Sequence, residues 1–179
     1  MTSSVETAID RLSGIVGNLA AAMLIALVLV TFADVVLRYY FESGSIAMQE
    51  MEWHLFAMIF LLGICFTMRS DAHVRVDVFY ARLQPRSQAL INMLGVLLFV
   101  LPLSTLIVVH SWSFVEYSFE IGETSPDPGG LPWTYLIKAM IPLAFVLTFL
   151  SGIAFFLRNL RQYKTGVPQQ YDEPAEGHA

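Results

Sequence analysis

The chain has 179 residues, 56% of them hydrophobic, and 15 acidic against 10 basic residues leave a net charge of -5. The basic residues are too few and too dispersed to form a phosphate-tracking surface, which excludes nucleic acid as a partner. The single cysteine, Cys65, excludes an intrachain disulfide or a cysteine metal cluster; inside an apolar run it reads as a space-filling side chain.

Four long apolar runs read as membrane spans at about residues 12–37, 48–68, 88–114 and 135–157. A span needs about 20 residues of helix, and core helices of soluble domains run shorter on average. The expected fold is an all-α integral membrane protein. It has four transmembrane helices with short amphipathic interfacial helices, and residues 1–165 form the membrane domain.

Ahead of the first span, Ser3 and Glu6 have capping-box spacing. Val5, Ile9, Leu12 and Val16 share a helical face, which predicts a short amphipathic lead-in helix. The N-terminus lacks a basic segment with a short apolar core and a small-residue cleavage site, so the first run is expected to be retained. Ala20, Ala21 and Ala22 permit close helix contact. The span ends in Asp34, Arg38, Tyr39, Tyr40 and Phe41. Asp34 and Arg38 share a face, and a carboxylate at that depth needs a partner. Glu50 and Glu52, at the mouth of span two, could share the Arg38 guanidinium and tie two helices together. An ion or transport site is the alternative reading of the same charges.

Residues 42–51 contain Ser43, Gly44 and Ser45, a turn short enough to make spans one and two antiparallel neighbours. The link after span two carries two overlapping patterns. Val74, Val76 and Val78 alternate as in a strand, while Val76, Phe79, Tyr80 and Leu83 form a helical stripe. A lone strand has no sheet to join, so an interfacial helix is expected, ending near Pro85. Span three contains Pro102, which removes one backbone donor and predicts a kink. Two prolines with Gly129 and Gly130 predict a structured turn before span four, and Pro132 is expected to start the next helix. Lys138 and Pro142 follow in span four. From Gly166 the tail is polar and is expected to be disordered over residues 166–179.

The basic residues divide unevenly between the two ends of these spans. Eight (Arg11, Arg69, Arg75, Arg82, Arg86, Arg158, Arg161 and Lys164) fall on one side, and two (Arg38 and Lys138) on the other. With short loops, this bias predicts that both termini are cytoplasmic. Trp53, Trp112 and Trp133 fall at the opposite ends, at headgroup level.

No nucleotide loop, metal-ligand spacing or nucleophile elbow occurs. The spans hold few ionisable groups, and no inverted repeat with broken helices is evident. An accessory subunit fits this pattern better than an autonomous pump or an enzyme. His54 and His110 fall at similar depth and raise haem ligation as an alternative, with separate interfacial histidines as the simpler reading. An unrelated structural four-helix protein is a third reading.

Several ordered motifs give the chain a resemblance. Asp34 to Tyr39 looks like the end of a family's first helix, and Glu50 or Glu52 before Trp53 looks like the acidic start of its second. Gly63 matches a small residue in that helix. Asp71, His73, Val74, Arg75, Val76 and Asp77 resemble the family's inner loop of form D-x-H-V-R-V-D. Ser125, Pro126, Asp127, Gly129, Gly130, Leu131, Pro132 and Lys138 resemble its outer loop and the start of helix four. In this order the chain resembles the small membrane subunit (DctQ-like) of tripartite ATP-independent periplasmic (TRAP) transporters.

The resemblance implies a non-catalytic scaffold in the bacterial inner membrane, without cofactor or metal. Its partners would be a large permease subunit (DctM-like), a periplasmic solute-binding protein and membrane lipids. The large subunit would import an organic acid on a sodium gradient. Asp34, Arg38 and Glu52 would fix helices at the outer face. Asp71, His73, Arg75 and Asp77 would organise the inner turn or touch the large subunit. The acidic Glu116, Glu120, Glu123 and Asp127 would meet a basic patch on the binding protein or simply be solvated.

Overall fold

The computed structural model describes residues 4–69, 80 and 83–167. Helix α1 spans Ser4–Tyr40 and α2 spans Ile46–Arg69. Helix α3, Pro85–Gly95, continues through a π-helical turn, Val96–Val100, into α4, Leu101–Glu120; α5 spans Tyr135–Thr165. Among the described residues, four rods are long and apolar enough to cross a bilayer: Glu6–Tyr40, Ile46–Thr67, Pro85–Glu120 and Tyr135–Thr165. No strand occurs among the described residues. The expected interfacial helix of the second link falls mostly outside them, with only Tyr80 and Leu83 of its stripe described, and so does nearly all of the tail. Arg11, Arg86, Arg158, Arg161 and Lys164 gather at one end of the bundle, called the basic end below; the loops 41–45 and 121–134 lie at the other, acidic end.

The lead-in segment is not a separate helix. It forms the first turns of the 37-residue α1. No proline interrupts it, and Glu6 is held by Arg161 of α5, while Asp10 lies 3.3 Å from Arg158. In the third rod the effect of Pro102 is a wide turn. Proline cannot donate to the carbonyl four residues back, and Leu101 N–H reaches back five residues to Val96 O.

Large apolar side chains cover the outside: Phe32 is 68% exposed and Phe99 70%. Such a surface suits hydrocarbon and is too apolar for a water-soluble bundle. Hydrocarbon also removes the usual drive to bury leucines, so helix contact rests on close approach and on polar contacts between helices. Helix α5 is the hub, packing on α1, on α2 and on all parts of the third rod, while α1 also packs on α2. Its buried residues Ala144, Thr148, Ser151, Gly152, Phe155, Asn159 and Gln162 follow helical spacing along one seam. Gly152 lets the π turn approach: a Cβ there would lie 3.3 Å from the side chains of both Val100 and Leu101.

Where α1 meets α2, Gly17 faces the Phe66 ring, and a Cβ on it would sit 2.8 Å from Cε2. At Gly63 a Cβ would meet nothing within 4 Å. Gly17→Ala is therefore expected to destabilise the bundle by about 1–3 kcal/mol through overpacking. Gly63→Ala should be neutral or stabilising by up to about 1 kcal/mol through helix propensity. Thermal unfolding of both variants in one detergent checks the contrast, and equal shifts would contradict the packing described.

Candidate functional site: a clamped cap at the acidic end

The α4–α5 loop folds into a cap. Gly122, at φ 60, ends α4, and Glu123 N–H donates to Ser118 O at 3.0 Å. Asp127, Pro128, Gly129 and Gly130 then make a tight turn closed by Gly130 N–H to Asp127 O at 2.9 Å. A glycine at φ 84 in third place is what a type II turn requires, and proline is common in second. Ser125 N–H donates to Leu131 O at 3.1 Å, and Thr134 N–H to Glu123 O at 3.0 Å, which closes the loop on itself.

Glu50 clamps this loop onto α2. One carboxylate oxygen accepts from the Ser125 hydroxyl, and the other from Leu131 N–H at 2.5 Å. A Cβ on Gly130 would lie 2.7 Å from Glu50 Oε1, so only glycine leaves room for the clamp. The loop's second tie is Lys138, whose ammonium donates to Glu123 and stands 4.1 Å over the Phe114 ring. This contact joins the loop, the end of α4 and the start of α5.

The other expected site residues divide. Asp34 and Arg38 form an ion pair within α1. Arg38 does not bridge to α2: Glu50 turns to the cap instead, and Glu52 Oε1 is buried without a hydrogen-bond partner. Pro132 does not start the next helix. Trp133 follows it at φ 63, outside helical space, and α5 begins at Tyr135. Asp127 is exposed at the tip of the cap. Asp71, His73, Arg75 and Asp77 lie outside the described residues.

A polar seam that the sequence pattern does not reveal runs through the bundle. Ser13 of α1, Cys65 of α2 and Ser151 of α5 meet at one buried point, with Ser13 Oγ 3.1 Å and Cys65 Sγ 3.2 Å from Ser151 Oγ. Cys65 thus has polar neighbours and is more than filler. Asn92 Nδ2 donates to Asn159 Oδ1 at 2.7 Å and to the Tyr80 hydroxyl at 2.8 Å. Gln162 Nε2 donates to Pro85 O at 3.0 Å. The available signal was the presence of Ser13, Asn92, Ser151 and Asn159 at the margins of apolar runs or inside them. His54 and His110 stand on α2 and α4. His110 Nδ1 lies 2.9 Å from Leu106 O of its own helix, and α2 and α4 each pack on α5. No group of three potential metal ligands occurs among the described residues.

Residues 27–162 match the family model of the tripartite ATP-independent periplasmic transporters, DctQ component, which covers more than half of the chain. The chain belongs to this family. A Haemophilus influenzae protein provisionally named a TRAP transporter small permease protein is 28% identical over 144 residues, covering 78% of this chain and 87% of that protein. The C4-dicarboxylate TRAP transporter small permease protein DctQ of Pseudomonas aeruginosa is 29% identical, with 84% of each chain covered. The matched region runs from mid-α1 to near the end of α5, so it includes Glu50, the cap and the Asn92–Asn159 contact. A DctQ chain is a small permease component of a transporter, which favours the accessory-subunit reading over haem binding or an unrelated bundle.

Within the cap, the Lys138 hydrogen bond holds the Glu123 carboxyl below its ordinary value of 4.5. A lowered folded value means the tie contributes fully above pH 4.5 and is lost as pH falls through the folded value. A carbon NMR titration of the Glu123 carboxyl should therefore give a midpoint below 4.5, moving upward in Lys138→Met. A wild-type midpoint at or above 4.5 would contradict the tie.

Proposed function

We propose that this DctQ chain is the non-catalytic scaffold of a sodium-coupled importer in the bacterial inner membrane. It holds the large permease subunit that moves an organic acid delivered by a periplasmic binding protein. The observation that carries this reading is where the buried polar groups go. Ser13, Asn92, Ser151, Asn159 and Gln162 make contacts between helices, and Glu6 and Asp10 pair with arginines of α5. A solute path would need polar groups lining an open route. Here these seven groups are taken up in holding helices together.

Both termini lie in the cytoplasm in this reading, in line with the bias of basic residues, and the cap faces the periplasm. Glu116, Glu120 and Asp127 are exposed there. They offer an acidic surface to the binding protein, and charges of this kind act mainly on encounter rate and register. In this reading the motif Asp71, His73, Arg75 and Asp77 belongs to the cytoplasmic side, where it would either order the chain locally or meet the large subunit. The C4-dicarboxylate named for the Pseudomonas aeruginosa relative makes an organic acid the substrate class to test first.

The test is reconstituted uptake. The large permease encoded alongside should copurify with this chain, and without the chain it should be inactive. Reversing Glu116, Glu120 and Asp127 to lysine should raise the concentration of binding protein needed for half-maximal uptake by roughly tenfold, and the effect should shrink at high salt. Full uptake by the large permease alone would refute the scaffold role. A salt-independent loss would remove the cap from the docking surface.

A further inference from the structure

Helix α1 is the span that the chain itself covers least. Only 6% of its apolar window is buried, against 39% for α5. Its buried residues Ser13, Val16, Ala20 and Asp34 look toward the rest of the bundle. On the opposite face Arg11, Asn18, Ala22, Ile25, Leu29 and Phe32 follow helical spacing and are exposed. One of them is out of keeping with hydrocarbon. The side chain of Asn18 makes no hydrogen bond among the described residues. Thr105 and Ser113, exposed on α4, differ because their own helix satisfies them. Thr105 donates to Leu101 O at 2.8 Å and Ser113 to His110 O at 3.3 Å.

Depth decides what can answer the Asn18 amide. Asp10, paired with Arg158, and Arg38, paired with Asp34, mark the two margins of α1. Their separation along the helix is about 42 Å, which matches a bilayer with its headgroups. Hydrocarbon takes about 30 Å of that, so it begins about 6 Å from each margin. Asn18 lies about 12 Å from Asp10, hence about 6 Å inside the hydrocarbon. Its side chain is too short to reach back to the headgroups as a lysine would. Acyl chains offer no hydrogen-bonding group, and amides at such depth bond across to another helix. The neighbours of Asn18 leave room for one: Ala21 and Ala22 are small and exposed, while Ile25, Leu29 and Phe32 beyond them are bulky.

We propose that a transmembrane helix of the large permease subunit crosses α1 at Asn18 and Ala22, and that a polar group on that helix completes the hydrogen bonding of the Asn18 amide. The identity of this partner rests on the scaffold role proposed above. A second copy of this chain fits the face less well. A two-fold contact centred on Asn18 would bring together the two Arg11 side chains, which lie two turns away on the same face.

Photo-crosslinking in the complex with the large permease reads the face directly. A benzophenone amino acid at Ile25 should capture the large permease in higher yield than one at Phe99, which is equally exposed on the third rod. Asn18→Leu should weaken binding of the large permease roughly threefold to tenfold, the worth of one hydrogen bond between membrane helices. Thermal unfolding of the isolated chain should not be lowered by that change, because Asn18 holds nothing within the chain. Asn18→Gln keeps the amide and should bind more tightly than Asn18→Leu. Capture from Phe99 equal to or above that from Ile25 would overturn the assignment. So would an Ile25 adduct made only to lipid or to a second copy of this chain, or wild-type affinity in Asn18→Leu. If the large permease copurifies and Ile25 does not capture it, the scaffold role stands and this face is wrong. If it does not copurify with the wild type, both fail.

Discussion

The seam along α5 is the constraint on which the rest of the bundle depends. In hydrocarbon, leucine gains little by facing leucine, so helices need another reason to associate. Helix α5 supplies it with small residues that allow approach and polar residues that bond across. Asn159 is fully buried and accepts from Asn92, and its own amide donates to Phe155 O at 2.9 Å. Ser151 gathers Ser13 and Cys65 at one point, so α1, α2 and α5 meet through hydroxyl and thiol groups. The third rod reaches the rest of the molecule chiefly through α5, and Gly152 admits its π turn.

The two ends close in different ways. At the basic end, Arg158 and Arg161 of α5 pair with Asp10 and Glu6 of α1, which gives the acids in α1's first turns partners from another helix. At the acidic end, Glu50 binds a loop rather than a guanidinium. Backbone N–H and serine hydroxyl donors satisfy its carboxylate, and the type II turn with Gly130 makes the space for it. The result is a cap fixed to α2 by one residue and to α4 and α5 by Lys138, leaving Glu116, Glu120 and Asp127 outward. A surface fixed in this way can present charge in a defined register, as docking of a soluble partner requires.

Much of this was legible in the sequence, and for physical reasons. The length of an apolar run is set by bilayer thickness, so four spans and an all-α fold could be read directly. The Pro128–Gly129 pair signals a turn because of its backbone demands. Partner choice was less legible. Glu50 and Glu52 look equivalent beside Arg38, but two residues on a helix differ by about 200° in facing, and only Glu50 looks toward the cap. The start of α5 was misplaced because a proline that suits a helix's first turn was followed by Trp133 in left-handed space. The seam was missed because serine, cysteine and asparagine within apolar runs give no sign of which helix they meet. That information lies in the register of α1, α2 and α3 against α5.

The central claim is that the polar groups of the α5 seam hold helices and do not conduct solute. Replacing both partners of the buried amide pair, Asn92→Leu with Asn159→Leu, removes that polarity without leaving either side chain unpaired. Uptake by the reconstituted complex carrying both changes is the most direct measurement. Per assembled complex, the KM for substrate and the dependence on sodium should equal those of the wild type, with any loss confined to the yield of assembled complex. A shift of tenfold or so in either parameter, in complex that assembles normally, would show that the seam takes part in transport and would contradict the account.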